Sequence, residues 1–173
     1  MFFQYMRATG IRDMLGDNLP KEIIDFFINI PLFEQINAEE VKVVARHMDT
    51  VDLNSGDILF RESDKGNYVF FIKEGKLDVL KKSESSGGNV TLATLGEGQS
   101  IGEMSVIDDF PRSATIQARS RATLYILSKS AFDMILNKHP RIGIKLLKGI
   151  SRLLTRNLRE TSSRLADYIP PLS

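Results

Sequence analysis

Short apolar runs separated by glycines fill the middle of the chain and limit the folds open to it. The runs VDLNSGDILF, NYVFFIKEGKLDVL and NVTLATLGEGQSIG lie between residues 51 and 102, and ATIQA and ATLYILS follow. Each run is rich in β-branched and aromatic residues and ends in turn-forming residues. Short strands at such regular spacing predict an antiparallel β-sandwich or jelly-roll of about eight strands.

Helical patterns flank this region on both sides. LPKEIIDFFINIPLF has apolar residues at helical spacing and stops at Pro31, and INAEEVKVVARHM starts with the capping-box pair Asn37 and Glu40. After the last strand, Ser130 and Asp133 are expected to cap a short helix, SAFDMILNK. The predicted fold class is therefore α+β, with N-terminal helices before the sandwich and a long C-terminal helix after it.

The last helix is predicted to run from about Pro140 to Ile169, where two prolines end it. One apolar stripe is expected to pack on the sandwich. A second stripe follows alternating spacings of four and three after a first step of seven, which is typical of helix pairing with a second chain. We therefore expect a homodimer, although both stripes could also pack within one subunit. The first stripe contains Ile142, Leu146, Ile150 and Leu153, and the second contains Leu147, Leu154, Leu158, Thr161, Leu165 and Tyr168.

The same helix carries six basic residues at helical spacing. They could form a solvated face or a docking surface for an acidic partner, and either of the two central arginines could instead turn toward Glu103 or a ligand. The six are Arg141, Lys145, Lys148, Arg152, Arg156 and Arg159.

The composition excludes several classes of function. With 23 Lys and Arg against 22 Asp and Glu, the chain lacks the basic excess of a general nucleic-acid binder. It has no cysteine, and its two histidines, His47 and His139, lie far apart, so we expect neither catalysis nor a metal site. No apolar run approaches a membrane span or a signal peptide. We expect a cytoplasmic protein.

The segment GEMSVIDDFPRSAT, residues 102–115, interrupts the strand pattern and concentrates polar chemistry. Gly102 allows close backbone approach, and the next residues can form one helical turn. Glu103, when ionised, accepts hydrogen bonds from a hydroxyl, while the guanidinium fork of Arg112 matches a phosphate. The small residues Ser113 and Ala114 leave their amides accessible to the same anion. A ribose phosphate would satisfy all of these groups.

This segment resembles the phosphate-binding cassette of the cyclic nucleotide-binding domain family, and GDILFRESDKGNYVFFIKEGKLDVL resembles the first strands of that family. The resemblance covers roughly residues 30 to 160. It implies that Glu103 accepts from the ribose 2′-hydroxyl and that Arg112 pairs with the cyclic phosphate. It also implies that Phe132 is the aromatic hinge residue that moves when the cassette closes on ligand.

The same resemblance assigns the remaining site residues. Gly102, Ser113 and Ala114 match positions that line the phosphate and ribose, while Met104 replaces the usual leucine and Ser105 replaces alanine or glycine. The long helix is expected to cover the base, and Asn157, Leu158 and Thr161 are the candidates for contacting it. Ser113 favours cyclic AMP, with cyclic GMP as the alternative ligand.

We therefore interpret the chain as a cyclic nucleotide-binding sensor without catalytic activity. Its predicted parts are an N-terminal helical extension (residues 1–30), the β-roll (31–138) and a C-terminal dimerisation helix (139–173). It ends without a recognisable helix-turn-helix, so we expect no direct DNA binding and expect it to signal through a partner protein. The alternatives are a fragment of a transcription regulator and an interaction protein that has lost its ligand.

Overall fold

The computed structural model describes residues 19–83, 87–108 and 110–166, together with the backbone of Thr9–Gly10. Its helices are α1 (Lys21–Ile28), α2 (Ala38–Ala45), α3 (Lys129–Lys138) and α4 (Pro140–Ala166), and two short 3₁₀ turns cover Pro31–Phe33 and Met104–Val106. Its strands are β1 (Thr9–Gly10), β2 (Met48–Leu53), β3 (Ile58–Phe60), β4 (Tyr68–Glu74), β5 (Leu77–Lys82), β6 (Asn89–Leu95), β7 (Ser100–Ile101), β8 (Thr115–Ala118) and β9 (Ala122–Ser128).

The strands form two antiparallel sheets. The order in one sheet is β1-β2-β9-β4-β7, and in the other it is β3-β8-β5-β6. A buried cluster containing Phe70, Leu124 and Ile126 from the first sheet and Leu77 and Ile116 from the second fills the space between them. The predicted antiparallel sandwich with flanking helices is thus confirmed.

Strands β4 and β9 of the first sheet are buried on both faces over most of their length, which explains their nearly continuous apolar sequences. Because side chains alternate along a strand, Phe70 faces the second sheet while Phe71 faces the helices. Phe27 of α1 packs edge-on against Phe71 with a centroid distance of 5.6 Å, and it also contacts Phe33. The predicted domain boundary between residues 30 and 31 therefore passes through one aromatic cluster.

Two local predictions have different outcomes. The capping box is confirmed: the Asn37 side chain accepts from the Glu40 amide, and the Glu40 carboxylate accepts from the Asn37 amide, both at 3.0 Å. The cap predicted for α3 is wrong. Ser128 is the N-cap, accepting from the Ala131 amide at 3.1 Å, because β9 ends in extended backbone at that serine.

Helix α4 is held against the N-terminal part of the domain. The Lys145 ammonium donates to the Glu40 carboxylate at 2.6 Å, and Arg152 lies 3.3 Å from the Glu34 carboxylate. Two of the six aligned basic residues therefore contact α2 and the turn before it instead of forming a free basic face, and Arg152 pairs with Glu34 and not with Glu103. Within the described residues, no helix is long and apolar enough to cross a membrane.

Some features predicted from the sequence lie outside the described residues, and one N-terminal segment differs from its prediction. Residues 1–8, 11–18 and 167–173 lie outside the described residues, and with them Tyr168 and the predicted helix end at Ile169. Within the N-terminal stretch expected to be helical, Thr9–Gly10 pairs with Asp49–Thr50 of β2 as a short strand.

Candidate functional site

The cassette begins where β7 ends, and glycine is required there for two reasons. Gly102 has a φ of +82°, a left-handed conformation that side chains disfavour. A Cβ at this position would also collide with Nη1 of Arg112 and lie 2.9 Å from the Tyr68 carbonyl oxygen. Gly102 thus lets the chain turn into Met104–Val106 while Arg112 packs against its backbone.

Arg112 lies inside the protein and donates to three acceptors. Its Nη1 donates to the Gly102 carbonyl at 3.3 Å and to the Ser105 hydroxyl at 3.0 Å, and its Nη2 donates to the Tyr68 carbonyl at 3.0 Å. The guanidinium also stacks over the Phe60 ring, with 4.1 Å between Cζ and the ring centroid. Although only 5% of the residue is exposed, Nε has no hydrogen-bond partner. The guanidinium therefore retains donor capacity for a further acceptor.

The charge of Arg112 is unusually costly to maintain. Burial lowers the pKa of its guanidinium to about 10, although the Glu103 and Asp64 carboxylates act in the opposite direction. An anion that reached this group would replace lost solvation and stabilise the charged form. A buried arginine with unused donors is thus suited to binding a single negative charge.

Glu103 supplies the opposite charge on the same wall. It is 7% exposed, and burial raises the pKa of its carboxyl, against the lowering effects of its own backbone amide and of Arg112. A carboxylate in such surroundings gains from an uncharged hydroxyl donor, which supplies a hydrogen bond without adding charge.

Both residues line a cavity of about 680 Å³. All seven cassette residues singled out in the sequence lie on its wall: Gly102, Glu103, Met104, Ser105, Arg112, Ser113 and Ala114. Apolar side chains including Phe60, Val79 and Leu95 form much of the remaining wall. The cavity therefore combines an anionic and a cationic group with an apolar surface against which a ring system can pack.

Helix α4 closes one side of this cavity, and two of the three residues predicted to contact the base lie on its wall. Asn157 and Thr161 line the cavity, as do Arg156 and Arg164. Leu158 does not line it and is 67% exposed. One residue rotates the side-chain direction by about 100° around a helix, so Leu158 points away from the wall that Asn157 forms.

Phe132 lies outside the cavity, in the helix-side core. It is 2% exposed and shares a buried cluster with Val106 of the cassette turn and with Leu146 and Ile150 of α4. Lys129 also donates to the Val106 carbonyl at 3.4 Å. Val106 therefore joins the cassette to the core that contains Phe132, whereas Met104 and Ile107 are both largely exposed.

Besides Gly102 and Ser105, Arg112 is held in place by three residues that were not singled out in the sequence. They are Phe60, Tyr68 and Gly66, and a Cβ on Gly66 would lie 2.5 Å from Nε of Arg112. Tyr68 acts through a backbone carbonyl, which leaves no signal in residue type. Gly66 was visible only as one of many turn glycines.

Comparison with known proteins agrees with this geometry. The family described as the cyclic nucleotide-binding domain matches residues 50–139, just over half of the chain. A solved cyclic nucleotide-binding domain from Methylobacillus flagellatus is 30% identical with a TM-score of 0.82, covering 99% of this chain and 93% of that one. The catabolite activator protein of Thermus thermophilus is 28% identical with a TM-score of 0.70, covering 79% of this chain and 62% of that one.

The curated relatives are longer proteins. The chain is 29% identical over 107 residues to the cAMP-dependent protein kinase regulatory subunit of Schizosaccharomyces pombe, covering 62% of this chain and 25% of that protein. It is 33% identical over 104 residues to a lysophospholipase of Neurospora crassa, of which it spans only 7%. The chain thus spans a quarter or less of each of these two proteins. On the family match, the near-complete structural overlap and the cassette geometry, this chain belongs to the cyclic nucleotide-binding domain family.

Proposed function

We propose that this chain binds cyclic AMP and acts as a regulatory sensor with no catalytic activity of its own. The observation that carries the proposal is the burial of Glu103 and Arg112, two oppositely charged residues, on the wall of one cavity. Ionisable groups of this kind are costly to bury without a functional reason. A cyclic nucleotide offers both complements, a single phosphodiester charge and a ribose hydroxyl.

In the proposed complex, Arg112 pairs with the cyclic phosphate and Glu103 accepts from the ribose 2′-hydroxyl. The Ser113 and Ala114 amides add donors to the phosphate, and Gly102, Met104 and Ser105 enclose the ribose and phosphate. The unpartnered Nε of Arg112 supports this arrangement, because a buried donor without an acceptor is destabilising until a ligand supplies one.

The base would lie toward α4. Asn157 offers both a donor and an acceptor to a purine, and Thr161 lies one turn further along the helix on the same wall. The small Ser113 favours cyclic AMP over cyclic GMP, and the S. pombe relative is named as a cAMP-dependent protein. Titration of both nucleotides measures this preference directly.

Substitution of Arg112 tests the site. Arg112→Ala removes charge-assisted hydrogen bonds contributing about 1.5–3 kcal/mol, so binding should weaken at least roughly tenfold. Arg121→Ala is the matched control, because Arg121 is exposed and does not line the cavity. Calorimetry should show cyclic AMP binding to the wild type and to this control. No binding to the wild type would support a protein of this fold that has lost its ligand, and turnover of cyclic AMP would refute a purely regulatory role.

We also propose that residues 139–173 form a dimerisation element that transmits the signal to a downstream protein. In the distal half of α4, Leu158 and Leu165 are 67% and 58% exposed, on the same side of the helix as Leu154, which is partly buried against the helix-side core. An isolated helix rarely leaves such a row of leucines in water. Paired leucines at this spacing would form a helix–helix seam with a second copy.

Two glutamates introduced into the seam test this assembly. Leu154→Glu combined with Leu158→Glu places like charges against their symmetry mates and should produce a monomer. Lys148→Glu, on an exposed position about a third of a turn away from the seam, is the control and should remain dimeric. Light scattering reports the mass of each, and a wild-type monomer would refute the proposed dimer.

A further inference from the structure

The loop after β3 forms hydrogen bonds with both the backbone amide and the backbone carbonyl of Arg112. The Arg112 amide donates to the Asp64 carbonyl at 2.8 Å, and the Ser63 amide donates to the Arg112 carbonyl at 2.9 Å. Ser63 has a φ of +71°, and among the described residues no other non-glycine has a positive φ. Such a conformation persists only where the surroundings enforce it, and it often marks a functional position.

A lysine at the end of β5 holds the next peptide group. The Lys81 ammonium donates to the Ser113 carbonyl at 2.7 Å and to Oε1 of Glu62 at 2.5 Å. The Lys82 backbone amide donates to the other Glu62 oxygen at 3.4 Å. The hydrogen bond from Lys81 lowers the pKa of the Glu62 carboxyl, so this carboxyl is ionised at neutral pH. Glu62 therefore fixes the position from which Lys81 reaches the cassette.

Two consecutive carbonyls are thus engaged by groups that do not line the cavity, namely those of Arg112 and Ser113. A trans peptide is planar, so its N–H points opposite to its C=O. The Ser113 amide therefore points away from Ser63, and the Ala114 amide points away from Lys81. Since Arg112, Ser113 and Ala114 line the cavity and neither Ser63 nor Lys81 does, these directions leave both amides free to face it.

We propose that Lys81, anchored by Glu62, is a positioning residue that orients the Ser113 and Ala114 amides toward the anionic group of the bound ligand. This inference rests on the proposed binding of a cyclic nucleotide, whose phosphate would accept from these amides. The ammonium contributes in a second way, because a cation on the Ser113 carbonyl polarises that peptide and strengthens its N–H as a donor. The strained Ser63 serves the same purpose at the preceding peptide.

The test compares Lys81→Met with two matched variants. Lys82→Met removes the same charge from the neighbouring position, whose side chain is exposed and does not line the cavity. Lys81→Arg retains a cation that can reach the Ser113 carbonyl. By calorimetry, Lys81→Met should bind cyclic AMP about tenfold more weakly than the wild type. Lys82→Met should bind like the wild type, and Lys81→Arg should recover most of the affinity.

Amide resonances separate positioning from a general loss of structure. In the wild type and in Lys82→Met, cyclic AMP should shift the Ser113 and Ala114 amide protons downfield, as hydrogen bonding to a phosphate does. In Lys81→Met that shift should shrink, while resonances in β2 and β9 stay unchanged. Equal affinity and equal shifts in Lys81→Met and Lys82→Met would overturn the inference. Absence of any binding to the wild type would instead overturn the proposed function.

Discussion

A single methyl group placed on Gly66 should disable the site without touching the ligand. Gly66 does not line the cavity and its φ is not in the left-handed region, so alanine is not strained by backbone conformation. Its Cβ, however, would collide with the Ser105 hydroxyl and lie 2.5 Å from Nε and 2.7 Å from Cζ of Arg112. Restoring an ordinary contact of 3.4 Å moves the guanidinium by about 0.9 Å.

That displacement would lengthen or misalign the hydrogen bonds of Arg112, whose geometry tolerates little change. Arg112 is fixed by acceptors at 3.0 Å on Ser105 and Tyr68, and its position determines where the phosphate can be bound. Loss of a well-aligned, charge-assisted hydrogen bond costs about 1.5–3 kcal/mol, which corresponds to roughly tenfold to hundredfold weaker binding of cyclic AMP. Crowding of the buried side chains should also lower the free energy of unfolding by about 1–3 kcal/mol.

Calorimetry with cyclic AMP and thermal unfolding measure the two effects separately. Gly96→Ala is the matched control, because a Cβ at Gly96 meets no atom within 4 Å and its φ is also ordinary. Combining Gly66→Ala with Ser105→Ala relieves one collision and leaves the collision with Arg112, so binding should remain weak. If Gly66→Ala is folded and binds within about twofold of the wild type, the position of Arg112 does not govern binding and the reasoning is refuted.

Gly149→Ala should lower the free energy of unfolding by about 1–3 kcal/mol in chemical denaturation, because its Cβ would collide with the Leu32 carbonyl; full stability would show that α4 can shift freely. Lys145→Met should cost about 0.5–1 kcal/mol at pH 7. Although partial burial acts to raise it, the pKa of Glu40 is lowered from 4.5 by hydrogen bonds from Lys145 and the Asn37 amide. This stabilisation is therefore present above pH 4.5 and lost as the pH falls through the folded-state pKa, and unfolding curves of wild type and variant that stay equally far apart in acid would contradict it. Cyclic AMP should alter hydrogen exchange in residues 102–108 and 155–166 and leave residues 50–80 nearly unchanged, whereas protection confined to the cassette would refute signalling through α4.

The sequence predicts what is encoded locally. The Asn37–Glu40 capping box depends on residues three apart and appears in the structure as predicted. The cap of α3 was misassigned because the segment SKS offers two serines, and only the end of β9 decides that Ser128 is the one in extended backbone. The hydroxyl of Ser130 instead lies 2.9 Å from that of Ser128.

The cassette shows the same division between local and distant information. Its glycine, glutamate and arginine lie within eleven residues, so their chemistry could be recognised together. Two of the groups that hold Arg112, however, are the Tyr68 and Asp64 carbonyls, which lie more than forty residues earlier. Carbonyl oxygens are common to all residues, and no pattern in the sequence distinguishes these from the rest.

The rotation of α4 explains why only two of the three candidate base-contact residues lie on the cavity wall. At Gly149 the helix approaches the backbone of Leu32 so closely that only glycine fits between these two segments. This contact, with the burial of Leu146 and Ile150, fixes the rotation of every later residue. It places Asn157 on the cavity wall and turns Leu158 about 100° away from it. Apolar spacing alone predicts two stripes but not which residues face the cavity.

The same contacts divide α4 into a part that is held against the domain and a part that is less constrained. Up to Arg152 the helix is held by Gly149 packing and by ion pairs to Glu40 and Glu34. Every residue from Thr155 to Ala166 is exposed. Within the described residues, this segment borders the cavity but packs against no buried cluster. A ligand can shift a conformational equilibrium only through contacts that differ between states. The distal segment is where such contacts can change at low cost, and it carries both the residues proposed to cover the base and the leucines proposed to pair with a second copy. Binding and assembly would therefore be coupled through one short stretch of helix, without rearrangement of the sandwich.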